Sequence, residues 1–393
     1  MNAGPSLDGS RWTTRAPDEV YPSVDALQAA LSTRRDAATT VVADLDALVP
    51  EVCAHGVAFR LDGMLLHPTP WAAARLCAAV GLPVKAVQVL SPGLSALALA
   101  ERIGRVSARD RSRALLLAPR PDGDFTLRAV DGPDYARVWD ADLLAAFAPA
   151  LAADGWAPAQ SAPSRVGLFS SDRDFFAFFT REGQGFRPTG HPRPLRRGLL
   201  LRNSEVGGIA LRATSFWFDD FCTNHHIFGV TDHLALRVLH VRGGETPLDR
   251  LLGQWEAFGG LARLDEPPAE LDAIVGAAAA WSITHLDRSS SRMGDELVAA
   301  ILPLAELAGA RTVLRPSTIR TVGHHLRAME HPIHDGGRVS LWSFADAMTH
   351  WSQRHAAFTD ARAGYDAAMG RLLRIHSARA PFSGPLSLGG VSP

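Results

Sequence analysis

The stretch from residue 196 to residue 229 constrains the fold more than any other part of this chain. Three consecutive leucines, Leu199 to Leu201, separate two arginines from the polar run RNSE at 202–205. Gly207 and Gly208 then interrupt the run, and a second apolar and aromatic segment follows. Apolar runs separated by glycines predict two strands joined by a turn. Because polar and charged side chains cluster at this turn, the sequence favours a recognition surface there.

The middle of the chain carries further β patterns. Asp122-Gly123 between two apolar runs predicts a hairpin, and 233–242 alternates as a strand does. A helix is expected over 140–153, a short strand over 165–169, and strands near 197–203 and 208–215. The phenylalanine-rich run at 175–179 predicts a helix, with Asp172 as its N-cap.

Helical periodicity dominates both sides of this β-rich middle. Apolar residues at 24–50 recur with helical spacing, and proline-led starts at 70 and 92 predict two helices over 69–104. Beyond Gly243-Gly244, helices are predicted over 247–260, 267–285, 292–309, 317–330 and 341–375. These patterns predict an α+β fold, with a central mixed or antiparallel sheet flanked by N- and C-terminal helical regions.

Five regions follow from these patterns. They are a flexible N-terminal arm over 1–20, a helical region over 21–110, a central β-rich domain over 111–245 that contains RNSEVGG, a second helical region over 246–376, and a tail over 377–393.

Composition narrows the class of protein. The chain has 393 residues, of which 47% are hydrophobic and 21% charged, so it is globular and long for a single core. No apolar run reaches the ~18 residues of a membrane helix, and the first residues lack the apolar core of a signal peptide. The expectation is a cytoplasmic protein without a membrane partner. Cys53, Cys77 and Cys222 have no paired spacing and are expected to be buried thiols.

Arginine replaces lysine almost throughout. Lys85 is the single lysine among 40 basic residues, and its neighbours exclude a phosphate-binding GxxxxGK loop. The formal net charge is −1, so nothing global attracts nucleic acid. Between Arg181 and Arg202, however, six arginines face one glutamate, a local charge of +5 over 22 residues. Such a stripe can attract phosphates.

Several segments resemble one family. RRGLLLRNSEVG (196–207), FWFDDFCTNHHIFG (216–229) and LRVLHVRGG (236–244) are similar to the phage and plasmid-like proteins of the domain of unknown function 932 family. PDYARVWDADLL (133–144), HPTPWAAARLCAAVGLP (67–83) and LWSFADAMTHWSQRH (341–355) extend the resemblance over most of the chain. Asn224-His225-His226 departs from the usual Asn-Gly, which affects the local turn. The resemblance implies a home on mobile genetic elements and no assigned activity.

The first functional hypothesis is binding of nucleic acid, more readily single-stranded. Arginines can neutralise phosphates, aromatic rings can stack on bases, and amides and hydroxyls can bond to base edges. The candidate binding residues are Arg193, Arg196, Arg197, Arg202, Asn203, Ser204, Glu205, Trp217 and Asn224. An alternative for Phe216, Trp217 and Phe218 is burial in the core. The family resemblance places such binding in replication, recombination or evasion of host defence.

A second hypothesis is a metal-dependent phosphodiesterase. Asp172, Asp174, Glu205 and Asp219 carry the oxygen ligands that magnesium prefers. Histidines at 225, 226, 324, 325, 331 and 334 suggest a transition metal, although their spacing matches no zinc pattern. No GxSxG elbow or GxGxxG fingerprint occurs. The sequence therefore leans against an enzyme, assigns no catalytic residue, and predicts no cofactor beyond a divalent ion in the phosphodiesterase alternative.

A third hypothesis is a non-catalytic protein that assembles with itself. Leu341, Phe344, Met348 and Trp351 share one helix face. That stripe is either an interface of a homo-oligomer or, as is commoner, a core-facing surface.

Overall fold

The computed structural model describes residues 19–54, 56–162, 165–181, 185–187, 194–219, 234–264, 270–285, 292–328, 338–355 and 359–379. Over these residues the protein has the α+β fold that the sequence predicts. Apart from residues 19–20 and 377–379, the predicted N-terminal arm and C-terminal tail lie outside this description. None of the helices described combines the length and apolar character needed to traverse a bilayer.

The N-terminal part is a six-stranded sheet covered by helices. Its strands are β1 (Thr39–Asp44), β2 (Val49–Cys53), β3 (Gly56–Leu61), β4 (Met64–Pro68), β5 (Ser112–Pro119) and β6 (Phe125–Asp131), in the order β1-β5-β6-β4-β3-β2. Strands β4 and β6 are parallel, and the other neighbours are antiparallel. The helices are α1 (Val24–Ala37), α2 (Pro70–Ala79), α3 (Val84–Val89) and α4 (Pro92–Ile103). Leu76 and Leu99 pack with Phe59 in the core of this part.

The region over 21–110, predicted as helical, contains strands β1 to β4 as well as helices α1 to α4. Helix α1 ends at Ala37, and Thr39-Thr40-Val41-Val42 begins an edge strand that pairs with β5. β-Branched side chains favour strands, and that local preference prevails over the helical spacing of the leucines. The two proline-led helices are confirmed. The side chains of Thr69 and Ser91 cap α2 and α4 by accepting hydrogen bonds from backbone amides.

The central part is an antiparallel sheet. Its strands β10 (Leu168–Ser170), β11 (Phe175–Arg181), β12 (Leu195–Asn203), β13 (Leu211–Asp219) and β14 (Ala235–Val238) lie in that order, and β7 (Trp156–Pro158) also pairs with β11. Strands β8 (Gln160–Ala162) and β9 (Arg165–Val166) form a separate pair, and α5 (Asp140–Ala153) precedes them all. The hairpin at Asp122-Gly123 is confirmed, with Gly123 at a φ of +88°. The predicted strands β12 and β13 are confirmed as well.

The phenylalanine-rich run forms strand β11, so the predicted helix is wrong. Phe175 and Phe179 pack on one face of the sheet, in a core that includes leucines of α1 and α5. Phe176 and Phe178 pack on the other face with Phe216. A strand buried on both faces reads as a continuous apolar run and loses the alternation that would identify it. Phe216 also lies over Gly198, where a Cβ atom would overlap its ring.

The C-terminal part is mainly helical. Its elements are α6 (Pro247–Phe258), α7 (Gly260–Leu264), α8 (Leu271–Ala280), β15 (Ser282–His285), α9 (Met293–Leu307), α10 (Pro316–Ala328), β16 (Arg338–Ser340), α11 (Leu341–His355) and α12 (Thr359–Arg379). The helix predicted over 267–285 is α8 followed by β15, which pairs with β16. Leu341, Phe344 and Met348 are fully buried in the core of this part, and Trp351 packs against it. The stripe is therefore internal, and the self-assembly hypothesis loses the surface on which it depended.

Candidate nucleic-acid interface

The turn that joins β12 to β13 is buried over residues 203–206. Asn203, Ser204, Glu205 and Val206 expose at most 2% of their surface. Gly207 has a φ of +74°, and a Cβ atom there would lie 2.8 Å from Oδ1 of Asp131, so two constraints require glycine. The polar residues of the turn therefore do not form the exposed recognition surface that the sequence favours.

Glu205 is the centre of a buried network of charges. Its carboxylate accepts hydrogen bonds from Nη2 of Arg128 at 3.0 Å and from the backbone amide of Asp140 at 3.2 Å. Arg34 lies 3.7 Å from the same carboxylate and 3.3 Å from that of Asp140. The Asn203 amide donates to Oδ1 of Asp140 at 2.8 Å. We refer to these five residues as the turn network.

The turn network joins the two sheets. Arg34 comes from α1, Arg128 from β6, Asp140 from the start of α5, and Asn203 from the end of β12. Burial, followed by repulsion from the Glu205 carboxylate, raises the pKa of Asp140 well above its ordinary value. Burial likewise raises the pKa of Asp131, at the end of β6. The RNSE segment thus contributes buried side chains that hold the N-terminal part against the central sheet.

The described arginines of the stripe differ in burial, since Arg187 is exposed whereas two arginines of strand β12 are buried. Arg197 is 8% exposed and Arg202 is 3% exposed. The Arg197 guanidinium lies 4.4 Å from the ring centre of Trp217, itself buried, and that of Arg202 lies 5.3 Å from the ring of Phe176. Arg196 is half-buried. Strand β12 lies between two neighbours in a sheet covered on both faces, so arginines on it pack against rings within the protein.

Two of the candidate binding residues, Arg193 and Asn224, lie outside the described residues.

Among the proposed phosphodiesterase carboxylates, those that the structure describes are not gathered into one cluster. Asp172 is exposed, Asp174 accepts from the Ser171 hydroxyl at 2.8 Å, and Glu205 belongs to the turn network. The side chain of Asp219 lies outside the description. Asp172 caps no helix, because the Ser171 hydroxyl accepts the local amides ahead of strand β11. In the part of the chain that is described, no three or more His, Cys, Asp or Glu side chains are gathered so as to hold a metal ion.

Of the histidines proposed to bind a transition metal, the structure describes His324 and His325. His325 of α10 contacts His350 of α11, and His324 is exposed. His225, His226, His331 and His334 lie outside the described residues.

Comparisons with protein-family models, curated proteins and solved structures found no match. The resemblance to the phage and plasmid-like family therefore remains a prediction, and function has to be argued from the geometry.

Two residues upstream of α5, Tyr135 and Arg137, are held by the backbone of the turn. The Tyr135 hydroxyl donates to the carbonyl oxygen of Ser204 at 2.9 Å. Arg137 donates through Nη1 to the carbonyl oxygen of Glu205 and through Nη2 to Asp131 at 3.3 Å. Its guanidinium lies 5.3 Å from the ring centre of Tyr135 and 5.8 Å from that of Trp139. The turn thus positions a guanidinium group between two aromatic rings.

A second group of this kind contacts the same turn. Nε1 of Trp71 donates to the carbonyl oxygen of Val206 at 2.7 Å. The guanidinium of Arg173 lies 4.2 Å from the Trp71 ring centre, and that of Arg75 lies 6.0 Å from it. The charges of both Arg75 and Arg137 act on Asp131 and lower its pKa, against the larger effect of burial. The two groups are therefore neighbours.

A pocket of about 250 Å³ opens beside Trp139. It is lined by Thr40, Val42, Ala114, Tyr135, Ala136, Arg137, Trp139 and Arg242. Arg75 and Arg242 are exposed, and Trp71, Tyr135, Trp139 and Arg173 are partly exposed, whereas the side chain of Arg137 is largely buried, with 8% of it exposed. We call these seven residues the arginine–aromatic surface.

Sequence reasoning singled out the turn but not the arginine–aromatic surface around it. Tyr135, Arg137 and Trp139 alternate, and such spacing places side chains on one side of an extended chain. That pattern, within PDYARVWDADLL, is the sequence feature that could have revealed them.

Proposed function

We propose that the protein binds nucleic acid in single-stranded form, at the arginine–aromatic surface. The observation that supports this most is the placement of guanidinium groups against Trp71, Tyr135 and Trp139 around one turn. Proteins that bind single strands combine positive charge along the backbone with aromatic rings on which bases stack.

The charge of the surface suits a polyanion. It carries four arginines, at 75, 137, 173 and 242. Asp131 is the carboxylate beside Arg137, and its burial raises its pKa and disfavours its negative charge. A net charge of −1 for the whole chain does not weaken this argument, because attraction of phosphates depends on the local field. Arginine also stacks on aromatic faces, which lysine does less well.

The biological setting follows from the family resemblance alone. It includes a mobile-element origin and a role in replication, recombination or evasion of host defence. A location in the cytoplasm is proposed separately, from the composition of the sequence.

Reversing two exposed charges tests the proposal. Arg75→Glu combined with Arg242→Glu is expected to weaken binding of a labelled single-stranded DNA at least ~10-fold. An oligonucleotide of about 20 nucleotides is long enough, since single-strand-binding domains typically cover ~4–16 nucleotides. Each lost phosphate contact lowers the slope of log affinity against log salt by ~0.7, so the slope should fall by ~1.4. Fluorescence anisotropy between about 50 and 200 mM salt measures both.

The matched control is Arg105→Glu combined with Arg109→Glu. Both arginines are exposed and lie in the segment that follows the end of α4, and the total charge change is the same. Equal weakening by both pairs, or wild-type protein that fails to bind at the lowest salt, would contradict the proposal.

A further inference from the structure

The pocket beside Trp139 has two unlike walls. One is the surface of the N-terminal sheet, where Val42 of β1 pairs with Ala114 of β5 and Thr40 lies two residues away. Val42 is 61% exposed. Trp139 and Arg137, from the segment that leads into α5, also line the pocket. A planar, largely apolar group in this pocket would contact both an aliphatic sheet surface and an indole ring.

The polar groups of the pocket surround this apolar slot. Arg137 is already fixed by Glu205 and Asp131, so it supplies charge in a set orientation. The backbone amide of Arg242 donates to the carbonyl oxygen of Asp134 at 3.2 Å, which holds this residue in place. The side chain of Arg242 is exposed and also lines the pocket. The aromatic and aliphatic side chains can contact a nucleobase, and the guanidinium groups beside them can bind the phosphate that is joined to it.

The size of the pocket limits what it can hold. Its volume of about 250 Å³ is below the ~300–1,000 Å³ of sites that enclose a drug-sized ligand. It therefore suits part of a larger molecule that continues over the surface. The neighbouring Arg75 and Trp71 offer such a continuation.

We propose that this pocket takes up one unstacked base of a nucleic acid strand and thereby selects single-stranded over duplex nucleic acid. This inference rests on the proposed function and specifies it. A base within a duplex is stacked and paired, and its extrusion costs a few kcal/mol, whereas a base of a single strand enters at little cost.

Filling the pocket tests the inference. Val42→Trp places an indole in the slot on an edge strand, where aromatic residues are well tolerated. It is expected to weaken binding of single-stranded oligothymidylate about 5- to 150-fold, the ratio that corresponds to the loss of one stacked base, and to leave duplex binding unchanged. Trp139→Leu, which keeps an apolar side chain without the ring, should have the same effect.

The matched control is Val49→Trp, on strand β2 at the opposite edge of the same sheet, where the valine is 55% exposed. It should bind as wild type does. If Val42→Trp and Trp139→Leu keep the wild-type ratio of single-strand to duplex affinity, the base pocket is wrong while single-strand binding stands. If the wild-type protein binds neither form of DNA, the proposed function fails and this inference fails with it.

Discussion

Glu205→Ala is expected to lower the free energy of unfolding by about 3–5 kcal/mol, because it leaves buried positive charge without its carboxylate. Arg128 is 4% exposed and bonds to Glu205 at 3.0 Å, and water cannot replace that partner without opening the junction of the two sheets. The backbone amide of Asp140 loses its acceptor as well. Chemical denaturation at neutral pH measures the change.

Glu51→Ala provides the control for this prediction. Glu51 forms a two-point ion pair with Arg60, but both side chains are substantially exposed. Exposed ion pairs contribute about 0–1 kcal/mol, so this variant should unfold close to wild type. A Glu205→Ala protein as stable as Glu51→Ala would show that the turn network does not join the sheets. It would also reopen a catalytic role for Glu205, since removal of a functional carboxylate need not destabilise a protein.

Acid is expected to destabilise the junction through His240. Burial lowers the pKa of His240 to about 4, from an ordinary value of 6.5. Between those pH values the unfolded chain binds a proton that the folded protein does not. The contribution of His240 to the free energy of unfolding is therefore fully present above pH ~6.5 and is lost as pH falls towards ~4. A shift of this size corresponds to about 3 kcal/mol. His240→Asn should remove this part of the loss, as measured by unfolding at pH ~7 and ~4.5.

The raised pKa of Asp140 acts in the opposite direction, since its contribution to stability falls as pH rises. It is present in both proteins, so the difference between wild type and His240→Asn isolates the histidine. His324→Asn, at an exposed position on α10, should follow the wild-type pH dependence. Equal acid losses in wild type and His240→Asn would mean that the surroundings of His240, including the ring of Tyr135 stacked 5.1 Å away, do not exclude the proton.

Local sequence patterns predicted the local structure well. The Asp122-Gly123 hairpin, the capped starts of α2 and α4, and the pair of strands around Gly207-Gly208 were all predicted from neighbouring residues. The failures came where tertiary contacts decide. Strand β11 lacks the alternation of apolar and polar residues that identifies a strand, because both of its faces are buried. Strand β1 forms because it pairs with β5.

The candidate site was missed for a related reason. Asn203, Ser204 and Glu205 are polar residues beside a turn, which usually indicates exposure. Their burial depends on partners far along the chain, such as Arg128, 77 residues before Glu205. A single sequence does not reveal such pairs. Trp71 and Trp139 likewise become neighbours of the turn only because Val206 and the Arg137 contacts bring them there.

Photo-cross-linking tests the central claim most directly, namely that the buried turn displays an arginine–aromatic surface to a single strand. Oligonucleotides containing 5-iodouracil can be cross-linked to the protein under ultraviolet light, and the modified peptides identified by mass spectrometry. We predict cross-links at Trp71, Tyr135 and Trp139, competed by unlabelled single-stranded DNA. Cross-links confined to the arginine-rich segment 181–202 or to the aromatic segment 216–229 would contradict the claim and return the interface to the stripe that the sequence first suggested.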